Sequence, residues 1–124
     1  MLRRLDIVVI KVKDWPAAVR WYTEEFGLRL LYREDDHRWC QLAFPDGGTT
    51  LALFGVDAVD LTTQNRCIPD ILVDDLAATV DYLRRRGVAF RGDIRGGDEG
   101  YRVISLIDPE GNELQFYEWV ERKP

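Results

Sequence analysis

Residues 5–12, Leu-Asp-Ile-Val-Val-Ile-Lys-Val, are rich in β-branched side chains and predict a strand. A helix follows. Trp15, Val19, Tyr22 and Phe26 recur at i, i+4, i+7 and i+11, and Ala18 widens the stripe, so one face is expected to be buried. Asp14 is the expected N-cap, Pro16 is tolerated in the first turn, and Gly27 closes the helix. Short apolar runs then predict strands over 28–33, 38–44 and 50–54, joined by turns at Asp35-Asp36 and Pro45-Asp46-Gly47-Gly48. The more polar stretch 55–66 reads as a linker. From Cys67 the pattern starts again: a strand over 67–73, then a helix capped by Asp75 with Leu76, Val80 and Leu83 as its stripe. Strands over 88–94, 101–107 and 113–119 follow, and 121–124 is a polar tail.

The recurrence is regular. Val12-Lys13-Asp14 returns as Val73-Asp74-Asp75, Gly27-Leu28 as Gly87-Val88, and the turn at Pro45 as Asp108-Pro109-Glu110-Gly111-Asn112, at offsets of 61, 60 and 64 residues. A period of this length sets the architecture. Each unit reads as βαβββ, and one helix covers only one face of a four-stranded sheet. Two such units, related by an approximate twofold, can curl their uncovered faces toward each other. The expected fold is therefore α+β, with tandem βαβββ modules forming a curled mixed sheet around a central cavity suited to a small molecule. The expected organisation is a single domain over 1–124, with modules at 4–54 and 67–119.

Composition narrows the partners. The chain has 124 residues, 46% hydrophobic and 31% charged, a size and mix that can build one core. A net charge of −5 argues against nucleic acid, which needs clustered Lys and Arg. The one basic run, Arg84-Arg85-Arg86, complements the dipole at a helix end. No apolar stretch approaches the roughly 20 residues of a membrane span, and the N-terminus leads into a strand. Cys40 and Cys67 match no zinc motif or disulfide framework and are read as reduced thiols of a cytosolic protein.

The Val-x-Asp helix starts, the Trp21-Tyr22-x-x-x-Phe26-Gly27-Leu28 helix end and the Asp108-Pro109-Glu110-Gly111-Asn112 turn, in tandem, resemble the vicinal oxygen chelate superfamily. That group includes glyoxalase I, extradiol dioxygenases and bleomycin- and fosfomycin-resistance proteins. The resemblance runs from about residue 4 to 119. It implies metal ligands seven residues before each helix-starting Asp and seven after the Asp of the Asp-Pro turn, with a matching position in the first unit's last strand. In this chain those positions hold Ile7, Ile68, Gln115, and Ala52 or Leu51. Isoleucine has no lone pair to give, and a catalytic divalent ion commonly takes three or more protein donors. The family's metal site is therefore expected to be missing, and no cofactor is expected. His37, the only histidine, reads as an exposed turn residue. Glu113 sits at the start of the last strand, and Glu118 has the parity opposite to Gln115, so neither is well placed to rebuild the site.

Strand parity suggests a cavity face made of Ile7, Val9, Trp39, Gln41, Tyr101, Val103, Ser105, Gln115 and Tyr117, with Phe54 as an end wall and Lys11 at the rim. This set is apolar and aromatic with a few neutral hydrogen-bonders, as a ligand site or as core or interface filling. Trp15 and Trp21 read as packing or interface residues. Gly96-Gly97-Asp98-Glu99-Gly100 reads as a flexible loop at the mouth of the trough. The leading expectation is a metal-free protein that binds a hydrophobic or aromatic compound. A divalent-metal lyase, isomerase or dioxygenase with a rearranged site is the alternative, and a metal-free enzyme using Tyr101, Tyr117 or Lys11 as proton donor is a third. The resemblance also implies a homodimer.

Overall fold

The computed structural model describes residues 1, 3–58, 67–98 and 100–120. Leu2, residues 59–66 of the expected linker, Glu99 and the expected tail lie outside the described residues. The chain divides into two compact units, Met1–Gln64 and Asn65–Pro124.

The first unit runs β1 (Ile7–Val12), α1 (Trp15–Glu24), β2 (Arg29–Glu34), β3 (Trp39–Ala43) and β4 (Thr50–Gly55), with a 3₁₀ turn over Asp35–His37. The second runs β5 (Asp70–Leu72), α2 (Leu76–Arg85), β6 (Ala89–Gly96), β7 (Tyr101–Ile107) and β8 (Glu113–Trp119). The strands make two open, mixed four-stranded sheets in the orders β1-β4-β3-β2 and β5-β8-β7-β6. In each, the first strand pairs parallel with the last, and the other pairs are antiparallel.

The repeated sequence signals do repeated local work. Asp14 accepts a hydrogen bond from the Ala17 amide at 3.2 Å, and Asp75 from the Ala78 amide at 3.0 Å, each satisfying an orphan donor of the first helical turn. Gly87, at φ +92°, ends α2. Its amide bonds back to Arg84 O and the next amide to Leu83 O, both at 3.0 Å, and the positive φ would strain any other residue there.

The apolar stripes meet one face of each sheet. Trp15, Ala18, Val19 and Tyr22 of α1 are buried with Ile10, Val12, Cys40, Leu42, Leu51 and Leu53, and α1 packs on β4. Trp15 also donates its indole N–H to Leu53 O at 3.1 Å. In the second unit Leu76, Val80 and Leu83 of α2 are buried with Ile104, Leu106, Leu114 and Phe116.

Some boundaries depart from the sequence expectation. β5 begins at Asp70 rather than Cys67, because Pro69 has no N–H to offer a ladder. β4 continues through Gly55, so the expected linker starts later. Gly55 takes this place because a Cβ there would come within 2.6 Å of the Arg38 side chain. A bulge between Leu30 and Tyr32 shifts the register of β2 against β3.

Candidate functional site

Each sheet leaves one face without its unit's helix, and register tells which side chains share it. In the first unit Ile7 pairs with Thr50, Val9 with Ala52 and Lys11 with Phe54; Gln41 then pairs with Ala52, and Trp39 with Phe54. Tyr32 and Glu34 of β2 pair with Gln41 and Trp39. Ile7, Val9, Trp39, Gln41 and Phe54 thus lie on one face. Trp39 and Phe54 stand edge to face with centroids 6.1 Å apart, and Val9 and Phe54 are exposed. Polar groups on this face bond to each other. Gln41 donates to Thr50 Oγ1 at 2.9 Å, and Glu34 bonds both the Tyr32 hydroxyl and His37 Nδ1. Those two partners hold the Glu34 carboxyl below its ordinary range, the Tyr32 hydroxyl first. The same bond raises Tyr32.

The second face is built the same way and furnished differently. Asp70, Gln115, Ser105 and Arg91 form one row across all four strands, and Leu72, Tyr117, Val103 and Arg95 the next. Tyr101 pairs with Trp119. Tyr117 and Trp119 are edge to face at 5.6 Å, and Trp119 is exposed. Ser105 is only 6% exposed. Asp70 is exposed overall, yet partial desolvation raises its carboxyl above the ordinary range.

Residues 4–116 match one family across nearly the whole chain. The chain belongs to the Glyoxalase/Bleomycin resistance protein/Dioxygenase superfamily. It is 29% identical to a probable chloroplastic lactoylglutathione lyase of Arabidopsis thaliana, over 94% of this chain and 36% of that protein, so it spans about a third of the length of that relative. Among solved structures, it resembles a superfamily member from Sphaerobacter thermophilus at 20% identity and a TM-score of 0.80, covering 95% of this chain and 98% of that one. It also resembles TnmS3, an antibiotic binding protein from a Streptomyces species, at 25% identity and a TM-score of 0.76, covering 95% and 97%.

Register places the superfamily's first-unit metal positions on β1 and β4. Ala52 pairs with Val9 on the helix-free face, whereas Leu51 is buried on the α1 side, so Ala52 is the counterpart of Gln115. Ile7, Ala52 and Ile68 offer no donor, which leaves the Gln115 amide. Among the described residues no group of three His, Cys, Asp or Glu side chains could hold a metal ion. The donor set does not fit a divalent ion at these positions.

Glu118, Glu113 and His37 are committed elsewhere. Glu118, on the helix side, accepts from the Leu76 amide at 2.7 Å and from Arg102 at 3.1 Å. Glu113 pairs with Arg91 at 3.5 Å. His37 is exposed and bonded to Glu34. Cys40 is buried, its thiol pushed up by desolvation, and both cysteines are free of disulfides. Gly97 N donates to Tyr101 O at 2.8 Å, just past the end of β6. Sequence reasoning missed Asp70, Leu72, Trp119 and Arg91 on the second face. Alternation from Ile68 would have reached Asp70 and Leu72.

Proposed function

We propose that this chain binds a small hydrophobic or aromatic compound on its helix-free sheet faces, without a metal ion. The observation that carries the reading is the chemistry at the superfamily's ligand positions: Ile7, Ala52 and Ile68 are hydrocarbon, and each unit also exposes aromatic surface, Phe54 in the first and Tyr101 and Trp119 in the second. Apolar and aromatic surface with few polar groups suits a flat, greasy ligand. Ile7, Val9, Trp39, Gln41 and Phe54 would serve from the first unit, and Tyr101, Val103, Ser105, Gln115 and Tyr117 from the second. The similarity to TnmS3 supports a binding role of the resistance type. The proposal includes a cytosolic homodimer that leaves its ligand chemically unchanged.

The similarity to the probable lactoylglutathione lyase favours a second reading, a divalent-metal enzyme with a rearranged site. Two measurements separate them. Titration with a panel of aromatic drugs, followed by Trp fluorescence, should give saturable quenching, with Trp39 and Trp119 as reporters. Elemental analysis of protein purified without chelators should find less than stoichiometric transition metal. Stoichiometric zinc, nickel or iron, with metal-dependent turnover, favours the enzyme.

A further inference from the structure

The second unit's face carries three polar side chains in a row with no bond to one another. Asp70, Gln115 and Ser105 are register neighbours on β5, β8 and β7. At the usual strand spacing the three groups span roughly 10 Å. Among the described residues, none of these side chains has a hydrogen bond or ion pair. For Ser105 this is unusual, because it is 6% exposed and buried hydroxyls nearly always find a partner. The cation on the same row does not neutralise Asp70. Arg91 stands on the far edge strand, about 14 Å away at strand spacing, and pairs with Glu113. Burial nevertheless disfavours the charged carboxylate, as expected for an acid left without a counter-charge.

A ligand completes this row if it brings a positive charge and hydrogen-bond donors. Leu72 and Tyr117, on the adjoining row, and Trp119 beyond them, supply apolar and aromatic surface beside it. Aromatic faces also attract cations. An anion would meet the Asp70 carboxylate in a chain that already carries a net charge of −5. Resting on the small-molecule reading above, we propose that Asp70, Gln115 and Ser105 form an ammonium-receiving subsite, so that the compound taken by this face is an aromatic bearing a protonated amine. Asp70 accepts the N–H donors as a charged partner, the Gln115 amide oxygen accepts another, and the Ser105 hydroxyl adjusts as donor or acceptor.

The test uses three naphthalenes of one size and different charge: 2-naphthylmethylamine, 2-naphthylmethanol and 2-naphthoate. Each is titrated into the full chain by calorimetry at neutral pH. The amine should bind about tenfold tighter than the alcohol, as one charge-assisted bond provides, and the naphthoate weakest. Asp70→Asn should erase the preference while the alcohol's affinity holds; Asp70→Glu should keep most of it. Asp81→Asn, on the exposed side of α2, should change nothing. Equal affinities for amine and alcohol, or a preference that survives Asp70→Asn, overturn the subsite and leave the small-molecule reading standing. No heat from any of the three overturns both.

Discussion

The helix-free faces of the two units share a topology and differ in how their polar groups are satisfied. On the first, Gln41 bonds Thr50, and Glu34 bonds Tyr32 and His37. On the second, Asp70, Gln115 and Ser105 share one row without partners among the described residues. Duplicated architecture therefore does not duplicate the chemistry of the helix-free face. A face that satisfies itself offers a ligand mainly apolar surface, here Val9, Trp39 and Phe54. A face that leaves donors and acceptors open can also discriminate, because the wrong ligand leaves those groups unpaired.

The same contrast runs through the cores, and there it can be broken by substitution. Where the helix meets its sheet, the first unit uses Trp15, packed and hydrogen-bonded to Leu53 O, and the second uses Leu76, fully buried. Leu76→Ala should cost roughly 2–5 kcal/mol, the range for a deleted buried leucine, read from urea denaturation. Trp15→Phe removes the indole hydrogen bond to Leu53 O and keeps an aromatic ring in the core, so it should cost only about 1–2 kcal/mol. Equal losses would mean that the two junctions are equivalent after all.

The turns before the last strands differ likewise. Asp108, 3% exposed, accepts from the Glu110 and Asn112 amides at 2.9 and 2.8 Å and from the Asn112 side chain at 3.0 Å. Its counterpart in the first unit is Phe44, where the turn closes with one backbone bond from Gly47 N. Asp108→Ala should lose roughly 1–3 kcal/mol, because buried donors are left unpaired. Asp46→Ala, at the exposed position matching Glu110, should stay within about 0.5 kcal/mol by the same measurement.

Much of this contrast was legible in the residues. Helical spacing, β alternation and the capping Asp residues located both helices and all eight strands, because each signal is local and each is stated twice. What escaped depended on distant partners. Glu118 could be given a parity, but not its bond to the Leu76 amide, 42 residues away. The bulge in β2 was hidden because Arg29-Leu30-Leu31-Tyr32-Arg33-Glu34 does not alternate, so Tyr32 and Glu34 could not be assigned to a face. Asp70 escaped for another reason. β5 is only three residues long, Asp70–Leu72, too short for its own alternation to assign Asp70 to a face.

The smallest effect is the most diagnostic, since the two faces should respond to acid with opposite sign. Glu34 is held below the ordinary carboxylate range, so its contribution to stability is present above the unfolded pKa and fades as pH falls through the folded one. Asp70 is held above that range. The folded state binds its proton more readily than the unfolded state, so its contribution is present at low pH and is lost as pH rises through the folded pKa. At pH 7 Glu34→Gln should therefore lower Tm slightly, and Asp70→Asn should raise it. The Asp70 difference should vanish once the melts are repeated below the ordinary carboxylate range, whereas the Glu34 difference should fade only as pH falls through its own lowered pKa. A stabilising substitution on an exposed edge strand is what a binding residue predicts: its charge is costly in the free protein and useful only when a partner arrives. If Asp70→Asn instead destabilises at pH 7, the carboxylate is already serving the fold, and the contrast between the two faces fails at its central residue.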